Sequence, residues 1–203
     1  LGWYHLFLAY GGISQPENLK KASELAQKTL SIDESDADAH ALLGQIYLVS
    51  GKYEKAIASG KRSVELQPNG ALYHHSLGNS LSYAGRLDEA IAHIKKAIRL
   101  DPFTDYFCYF NLGRCYFQKG QYEDALAEFK KALQRAPNAA HIHLSLAVTY
   151  TLAGREDEAR ASAAKALELE PKLSVKRVSK MLKYKNEAFT KLLIDAVRKA
   201  GFP

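Results

Sequence analysis

Methionine, cysteine and long apolar runs are scarce in this sequence of 203 residues. These shortages argue against a natural start, a disulfide and a membrane span. The only methionine is Met181, so a natural start is missing and we expect the chain to be a fragment of a longer protein. The most apolar stretch, residues 1–12, contains His5 and is shorter than the roughly 20 residues that a membrane span needs. It does not resemble a signal peptide, because no basic segment precedes it and no small-residue cleavage site follows it.

The two cysteines, Cys108 and Cys115, are seven positions apart within one expected helix. This spacing separates them by about 10 Å along the helix axis, which is beyond the reach of a disulfide. We therefore expect two buried thiols in a reducing compartment, the cytoplasm.

Sequence motifs for catalysis and metal binding are also missing. There is no glycine-rich phosphate loop after a strand, no zinc-type cysteine spacing and no nucleophile elbow. The pairs His74–His75 and His141–His143 point to different sides of a helix, whereas two ligands on one helical face need a spacing of three or four. Acidic pairs such as Asp88–Glu89 recur at the starts of helices, where they complement the helix dipole. We therefore predict no enzymatic activity, no cofactor and no metal site in this chain.

The positive charge of the chain is concentrated at one end. The net charge is +6, and residues 172–203 hold nine basic and two acidic side chains, a local +7. The segment 172–185 could contact nucleic acid or an anionic membrane surface. The alternative, which we favour, is the solvated face of a helix, because charge runs are usually solvated.

The sequence does contain a strong period of 34 residues. Four prolines recur with spacings of 34, 35 and 34, at Pro68, Pro102, Pro137 and Pro171. Four glycines recur with the same spacings, at Gly51, Gly85, Gly120 and Gly154. Four alanines follow in step, at Ala56, Ala90, Ala125 and Ala159. A shared period of this length predicts a chain of repeated supersecondary units.

Each unit is expected to be a pair of helices. Apolar residues at helical spacing predict a first helix over residues 37–49. Gly51 can adopt the positive φ of a tight turn. Ala56 on the second helix is small, so the two helices can approach closely. Pro68 then ends the second helix, since it has no amide donor and restricts the residue before it.

In this register the sequence resembles the tetratricopeptide repeat (TPR) family. The Leu-Gly pair of the first helix stands at Leu43–Gly44, Leu77–Gly78 and Leu112–Gly113, with Leu146–Ala147 departing in its second residue. The aromatic residue that follows stands at Tyr47, Tyr116 and Tyr150, with Leu81 departing. The units run over 37–70, 71–105, 106–139 and 140–173. The resemblance implies an all-α, right-handed superhelical solenoid that binds other proteins.

Both ends of the chain extend this pattern. Residues 1–36 are expected to form a truncated first hairpin, with Leu1–Gly2 as its Leu-Gly pair and a connection through Gly11, Gly12 and Pro16. Residues 174–203 are expected to form capping helices that cover the exposed face of the last repeat, as solenoid ends require. The apolar stripe of the last helix contains Phe189, Leu192, Leu193, Ala196 and Val197.

The resemblance also implies that the first helices of successive repeats line a concave groove. The predicted partner-binding residues are then His75, Asn79, Phe107, Phe110, Arg114, Phe117 and His141. Among them we expect Asn79, Phe107, Phe110 and Arg114 to anchor a peptide, because aromatic residues and arginine are enriched at binding hot spots. Arg114 could hold a carboxylate or a backbone carbonyl. Alternatively, the phenylalanines pack between repeats as core.

Parts of the chain resemble, more narrowly, the carboxy-terminal TPR region of bacterial class III adenylate/guanylate cyclases. The similar segments are residues 19–48, 97–103 and 192–203. This resemblance implies a regulatory region attached to a cyclase catalytic domain, although no part of the chain resembles that domain. A further alternative is self-association through an apolar face at the truncated first repeat, formed by Trp3, Tyr4, Phe7 and Leu8.

Overall fold

The computed structural model describes residues 1–10, 15–181 and 184–203, with the side chains of residues 7–10, 15 and 181 left out of the description. Gly11, Gly12, Leu182 and Lys183, and the side chains of Phe7 and Leu8, therefore lie outside the described part. The described residues form twelve α-helices, which confirms the predicted all-α class. The chain divides into two compact units, Leu1–Pro102 and Phe103–Pro203.

Unit 1 contains three helical hairpins. Its helices are α1 (Gly2–Tyr10), α2 (Gln15–Ile32), α3 (Ala37–Val49), α4 (Tyr53–Leu66), α5 (Ala71–Tyr83) and α6 (Leu87–Leu100). Each odd-numbered helix packs against the helix that follows it, and α4 also packs against α5. The first helices α3 and α5 contact each other as well. Pro16 lies in the first turn of α2, where proline's missing amide is tolerated.

Unit 2 contains two hairpins and two further helices. Its helices are α7 (Tyr106–Gln118), α8 (Tyr122–Arg135), α9 (Ala140–Leu152), α10 (Glu156–Leu169), α11 (Val175–Met181) and α12 (Glu187–Lys199). The pairs α7–α8, α8–α9 and α9–α10 pack as the hairpins of unit 1 do. The last helix, α12, packs against α9 and α11.

Glycine makes the turn inside each repeat. Gly51 has φ 71°, and the equivalent glycines have values of 74–83°, at Gly85, Gly120 and Gly154. The amide of Lys52 donates to the Tyr47 carbonyl at 2.8 Å, and the amide of Gly51 donates to that of Leu48 at 2.9 Å. These two bonds satisfy the last carbonyls of α3 and lead directly into α4. The positive φ that the sequence predicts at Gly51 is confirmed.

Small residues set the distance between the helices of a hairpin. A Cβ atom added at Gly113 would lie 2.7 Å from the Phe129 ring and 3.2 Å from the Ala125 carbonyl oxygen. At Gly78 it would lie 2.6 Å from Ile94. The recurring alanines Ala90 and Ala125 are completely buried. The Leu-Gly pair and the alanine therefore recur because the two helices touch at these positions.

The C-terminal helices add their apolar side to the core of unit 2. Phe189, Ala196 and Val197 are buried in that core, and Phe202 joins them. Leu192, which we expected in the same stripe, is 44% exposed. It lies at the edge of the stripe, because the inward side of the helix is the one that carries Phe189, Leu193, Ala196 and Val197. The amide of Val175 donates to the carbonyl of Pro203 at 2.6 Å, which ties α11 to the chain end.

Candidate partner-binding face

The first helices of unit 2, α7 and α9, carry five of the seven predicted partner-binding residues. Phe107, Phe110, Arg114 and Phe117 follow one another along α7, and His141 lies in the first turn of α9. Asp105 starts α7, because its carboxylate accepts the amide of Tyr106 at 2.6 Å. This cap places Tyr106 and Phe107 in the first turn of the helix.

Four aromatic side chains meet at the starts of α7 and α9, and we call them the aromatic cluster: Tyr106, Phe107, Phe110 and His141. The rings of Tyr106 and Phe107 stack with centroids 4.1 Å apart. The His141 ring lies edge-on to Phe110 at 4.9 Å and parallel to Phe107 at 6.4 Å. Phe107 remains 42% exposed. The cluster therefore presents one open aromatic surface over a packed base. Tyr106 was not among the predicted residues, because its repeat position is not one that the family resemblance directs to the groove.

The surroundings of His141 disfavour the charged form of its imidazole. Burial lowers the pKa of its imidazole below the ordinary value. Its Nε2 atom is buried, and none of the residues that the structure describes forms a hydrogen bond with it. None of the other three members of the cluster carries a negative charge that would stabilise a protonated imidazole. His141 therefore acts here as an aromatic surface with one unused polar atom.

Arg114 is engaged by the protein itself. Its Nε atom donates to the Tyr184 hydroxyl at 3.0 Å, and a terminal nitrogen donates to Asn111 Oδ1 at 2.9 Å. The guanidinium carbon lies 5.5 Å from the centre of the Tyr184 ring and 6.0 Å from that of Phe110. An arginine expected to hold a partner's carboxylate or carbonyl thus holds a tyrosine hydroxyl of the same chain. No sequence pattern marked Tyr184 for this contact.

Phe117 differs from the expectation of a groove-lining residue. It is 7% exposed and belongs to the core of unit 2. The Phe189 ring of α12 contacts it edge-on at 5.7 Å, and Tyr122 contacts it at 5.8 Å. The equivalent residues of unit 1, Leu48 and Ser82, are buried as well, so this repeat position does not line an open groove. For Phe117, the alternative of a core phenylalanine describes what the structure shows.

The two remaining predicted residues, His75 and Asn79, belong to α5 of unit 1 and are half-buried. The side-chain amide of Asn79 donates to Gln45 Oε1 at 3.1 Å, and Gln45 donates in turn to the Ser76 carbonyl at 3.0 Å. Asn79 therefore links the first helices α3 and α5. The predicted four-residue anchor is divided, with Asn79 in unit 1 and its three α7 members in unit 2.

A histidine pair in unit 1 was not anticipated from the sequence. The Nδ1 atoms of His74 and His93 lie 2.9 Å apart, and His74 Nε2 lies 3.0 Å from the Pro68 carbonyl oxygen. Burial lowers the pKa of both imidazoles. The residues come from different helices, 19 positions apart, so no spacing rule links them. Within the described ranges, no group of three or more His, Cys, Asp or Glu side chains could hold a metal ion.

The basic segment is exposed where the structure describes it. Lys172, Lys176 and Lys180 face solvent, and Arg177 pairs with Glu170 at 3.2 Å. Contact with nucleic acid or a membrane surface stays a prediction. None of the described helices combines the length and the hydropathy of a transmembrane segment.

Two family models described as tetratricopeptide repeat match residues 75–140 and 116–182, which together exceed half of the chain. The chain belongs to the tetratricopeptide repeat family. A third model, for the anaphase-promoting complex, cyclosome, subunit 3, matches residues 16–97. No curated protein matches the TPR chain significantly.

Solved structures share the TPR fold of this chain. MamA is 26% identical with a TM-score of 0.64, over 78% of this chain and 92% of its own. PilW, a type IV pilus biogenesis factor, is 22% identical with a TM-score of 0.74, over 98% and 90%. YrrB, described as a TPR protein with an unusual peptide-binding site, is 23% identical with a TM-score of 0.60, over 83% and 86%.

Proposed function

We propose that this TPR protein is a non-catalytic interaction module that binds a peptide or protein segment at the aromatic cluster of unit 2. The observation that carries the proposal is Phe107, a phenylalanine 42% exposed on a base of packed rings. Aromatic side chains on a rigid support bury a large area at little entropic cost when a partner covers them. TPR proteins in general act in protein interactions, and YrrB is described as having a peptide-binding site.

The chemistry of the cluster indicates the kind of contact. Phe107 and Tyr106 offer ring faces to an apolar or aromatic side chain, and a side chain that separates the rings would also reach the buried Nε2 atom of His141. A ligand residue with an apolar body and a polar tip would use both features. The expected ligand is therefore a short segment that inserts such a side chain between the starts of α7 and α9.

Selection of peptides from a displayed random library against the wild-type chain tests the proposal. The selected peptides should bind Phe107→Ser at least 10-fold more weakly than wild type, because the exposed ring is the contact. Phe103→Ser is the matched control, since Phe103 is 95% exposed and lies outside the cluster. Peptides that bind both variants and the wild type equally would contradict a site at the cluster.

Self-association is a second candidate function, supported by the exposed apolar residues at the start of unit 1. Leu1 is 90% exposed, Tyr4 60% and Trp3 36%. A second copy that covers them would bury apolar surface that is otherwise in water. Light scattering over a concentration series should then show a mass that rises for the wild type and stays constant for a Trp3→Ser, Tyr4→Ser variant.

We also propose a cellular setting for the module. Its resemblance to the repeats of class III cyclases supports a regulatory role beside a cyclase catalytic domain. Cys108 and Cys115 are buried thiols that form no disulfide, which suits a reducing compartment such as the cytoplasm. The reading frame upstream of Leu1 tests the first point, since a different neighbouring domain would overturn it.

A further inference from the structure

The end of the chain, residues 184–203, lies on the same first helices that carry the proposed binding site; we call it the C-terminal segment. Its helix α12 packs against α9. Its two leading aromatic residues reach α7, where Tyr184 contacts Arg114 and Phe189 contacts Phe117. The segment therefore covers one end of the α7–α9 face, while Phe107 stays exposed at the other end.

This position is not the one expected of a helix that only closes the end of a solenoid. A following repeat helix packs against the second helix of the preceding repeat, as α5 packs against α4 and α9 against α8. The following helix also contacts the preceding first helix, as α5 contacts α3. Helix α12 makes only this second kind of contact, with α9, and among the described residues it has no packing of comparable extent with α10. The sequence predicts a cap on the last repeat, and the structure places the segment across two first helices.

The contacts of the segment resemble those of a bound ligand. One polar group, the Tyr184 hydroxyl, accepts a hydrogen bond from a charged arginine at 3.0 Å. One aromatic side chain, Phe189, is 8% exposed and packs between Phe117 and Tyr184, with ring centroids 5.7 and 4.9 Å away. Asn186 accepts the Phe189 amide at 3.0 Å and so starts the helix directly after the tyrosine. An amphipathic helix laid with its apolar side in a groove is a common mode of peptide recognition.

The outer side of the segment is suited to solvent. Lys191, Arg198 and Lys199 are exposed, and Asp195 pairs with Arg198 at 2.7 Å. A helix with one charged side and one apolar side can leave its groove without exposing an entirely apolar surface. Opening would still expose the buried Phe189, Ala196 and Val197, and the proposal below requires that this opening occurs while α7 to α10 stay folded.

We propose that the C-terminal segment is a built-in ligand of the α7–α9 face, and that a partner helix of the same chemistry replaces it. The partner is an amphipathic helix that carries an aromatic ring for Phe117 and is preceded, five positions before that ring, by an aromatic hydroxyl group for Arg114. This inference rests on the proposed function, because it makes the segment the regulator of that site. Since the segment is tethered, its effective concentration is on the order of millimolar, and only a strong or abundant partner displaces it.

A labelled synthetic peptide of residues 184–203 provides the probe. The wild-type chain of 203 residues should bind it weakly, because its own segment occupies the face. The Phe189→Ser chain of the same length holds its own segment less firmly and should bind the peptide at least 10-fold more tightly by fluorescence anisotropy. Leu192→Ser is the matched control on the same helix, because Leu192 is 44% exposed and should leave the affinity at the wild-type level. A peptide with Ser at both aromatic positions should not bind.

Equal affinities of wild type and a folded Phe189→Ser chain would overturn the proposal. Hydrogen exchange of the wild type provides a test that does not depend on the folding of a variant. The amides of α12 should exchange through an opening that leaves α7 and α9 protected, and Tyr184→Phe should speed that opening. Exchange of α12 only together with α7 and α9 would show a fixed structural element and overturn the proposal.

The two proposals can fail separately. Selected peptides that depend on Phe107, together with no binding of the 184–203 peptide, would retain the interaction site and remove the built-in ligand. Binding of the 184–203 peptide without any selected ligand at Phe107 would move the site to Arg114 and Phe117.

Discussion

The first helices of the two units use equivalent repeat positions for different purposes. In unit 1, Asn79 stands at the ninth position of its repeat and bonds to Gln45, the ninth residue of the repeat before it. In unit 2 the ninth position of α7 is Arg114, which bonds to the C-terminal segment. The fifth position is His75 in one unit and Phe110 in the other. The residues that recur build the same hairpin in both units, and the residues that vary decide what each surface contacts.

The largest expected loss of stability comes from truncating core residues, which the two units share. Phe129 and Ile94 occupy equivalent positions and are 1% and 0% exposed. Phe129→Ala should lower the free energy of unfolding by about 3–5 kcal/mol and Ile94→Ala by about 2–5 kcal/mol, because each leaves a cavity. Urea unfolding measures both. We expect the larger loss for Phe129→Ala, because the Phe129 ring also contacts the Phe110 ring at 5.6 Å. A larger loss for Ile94→Ala would contradict this order.

The next largest effect concerns the polar link between the first helices α3 and α5 of unit 1, which contrasts with the aromatic first helix α7 of unit 2. Gln45→Ala removes the donor to the Ser76 carbonyl and the acceptor for Asn79, and should lower the free energy of unfolding by about 1–3 kcal/mol. Gln134→Ala in unit 2 is the control, because Gln134 is exposed on a helix and its loss should change stability by less than about 0.5 kcal/mol. Equal effects would show that the polar link contributes nothing.

Acid should weaken both units, though through different histidines. Burial lowers the folded-state pKa of His74 and His93 in unit 1 and of His141 in unit 2, so the unfolded chain binds protons more readily. Stability should therefore be complete above about pH 6.5, the ordinary histidine pKa, and fall as the pH drops below it. The positive charges of Lys61 and Lys96 lower the pKa of His93 further, whereas the negative charge of Glu89 raises it.

Urea unfolding at pH 8 and pH 5 measures the loss. It should be smaller in His93→Gln and in His141→Leu than in the wild type. His143→Gln, which alters a half-buried histidine outside both sites, should retain the full loss. An identical loss in every variant would assign the acid sensitivity to other groups.

The smallest effect concerns surface ion pairs at equivalent positions. Arg86 pairs with Glu89, and Arg155 pairs with Glu158, each at 2.6 Å on an exposed helix start. Arg86→Ala should barely change the urea midpoint, because solvent screens exposed pairs. Arg155→Ala should change it slightly more, because Arg155 also lies 4.7 Å from the Tyr150 ring. High salt should reduce both changes, and a large, salt-independent change would contradict this assignment.

Periodic residues made the helices predictable, whereas contacts between distant residues escaped prediction. The range 37–49 and the turn at Gly51 follow from apolar spacing and from glycine's conformational freedom, and both are local properties. Phe107 and Phe110 could be selected because their repeat positions are known. Tyr184 and Phe189 could not be placed against Arg114 and Phe117, because no periodicity relates the C-terminal segment to α7.

The sequence alone determined the number, order and turns of the repeats, since each depends on residues a few positions apart and recurs every 34 or 35 residues. Only the tertiary structure decided which side chains of the first helices remain open. Phe107 is exposed and Phe117 is buried although both lie on α7 at expected groove positions. The difference arises because Phe117, in the last turn of α7, packs against Tyr122 of α8 and Phe189 of the C-terminal segment, whereas Phe107 lies in the first turn. Packing between distant segments depends on their combined shapes rather than on spacing along the chain.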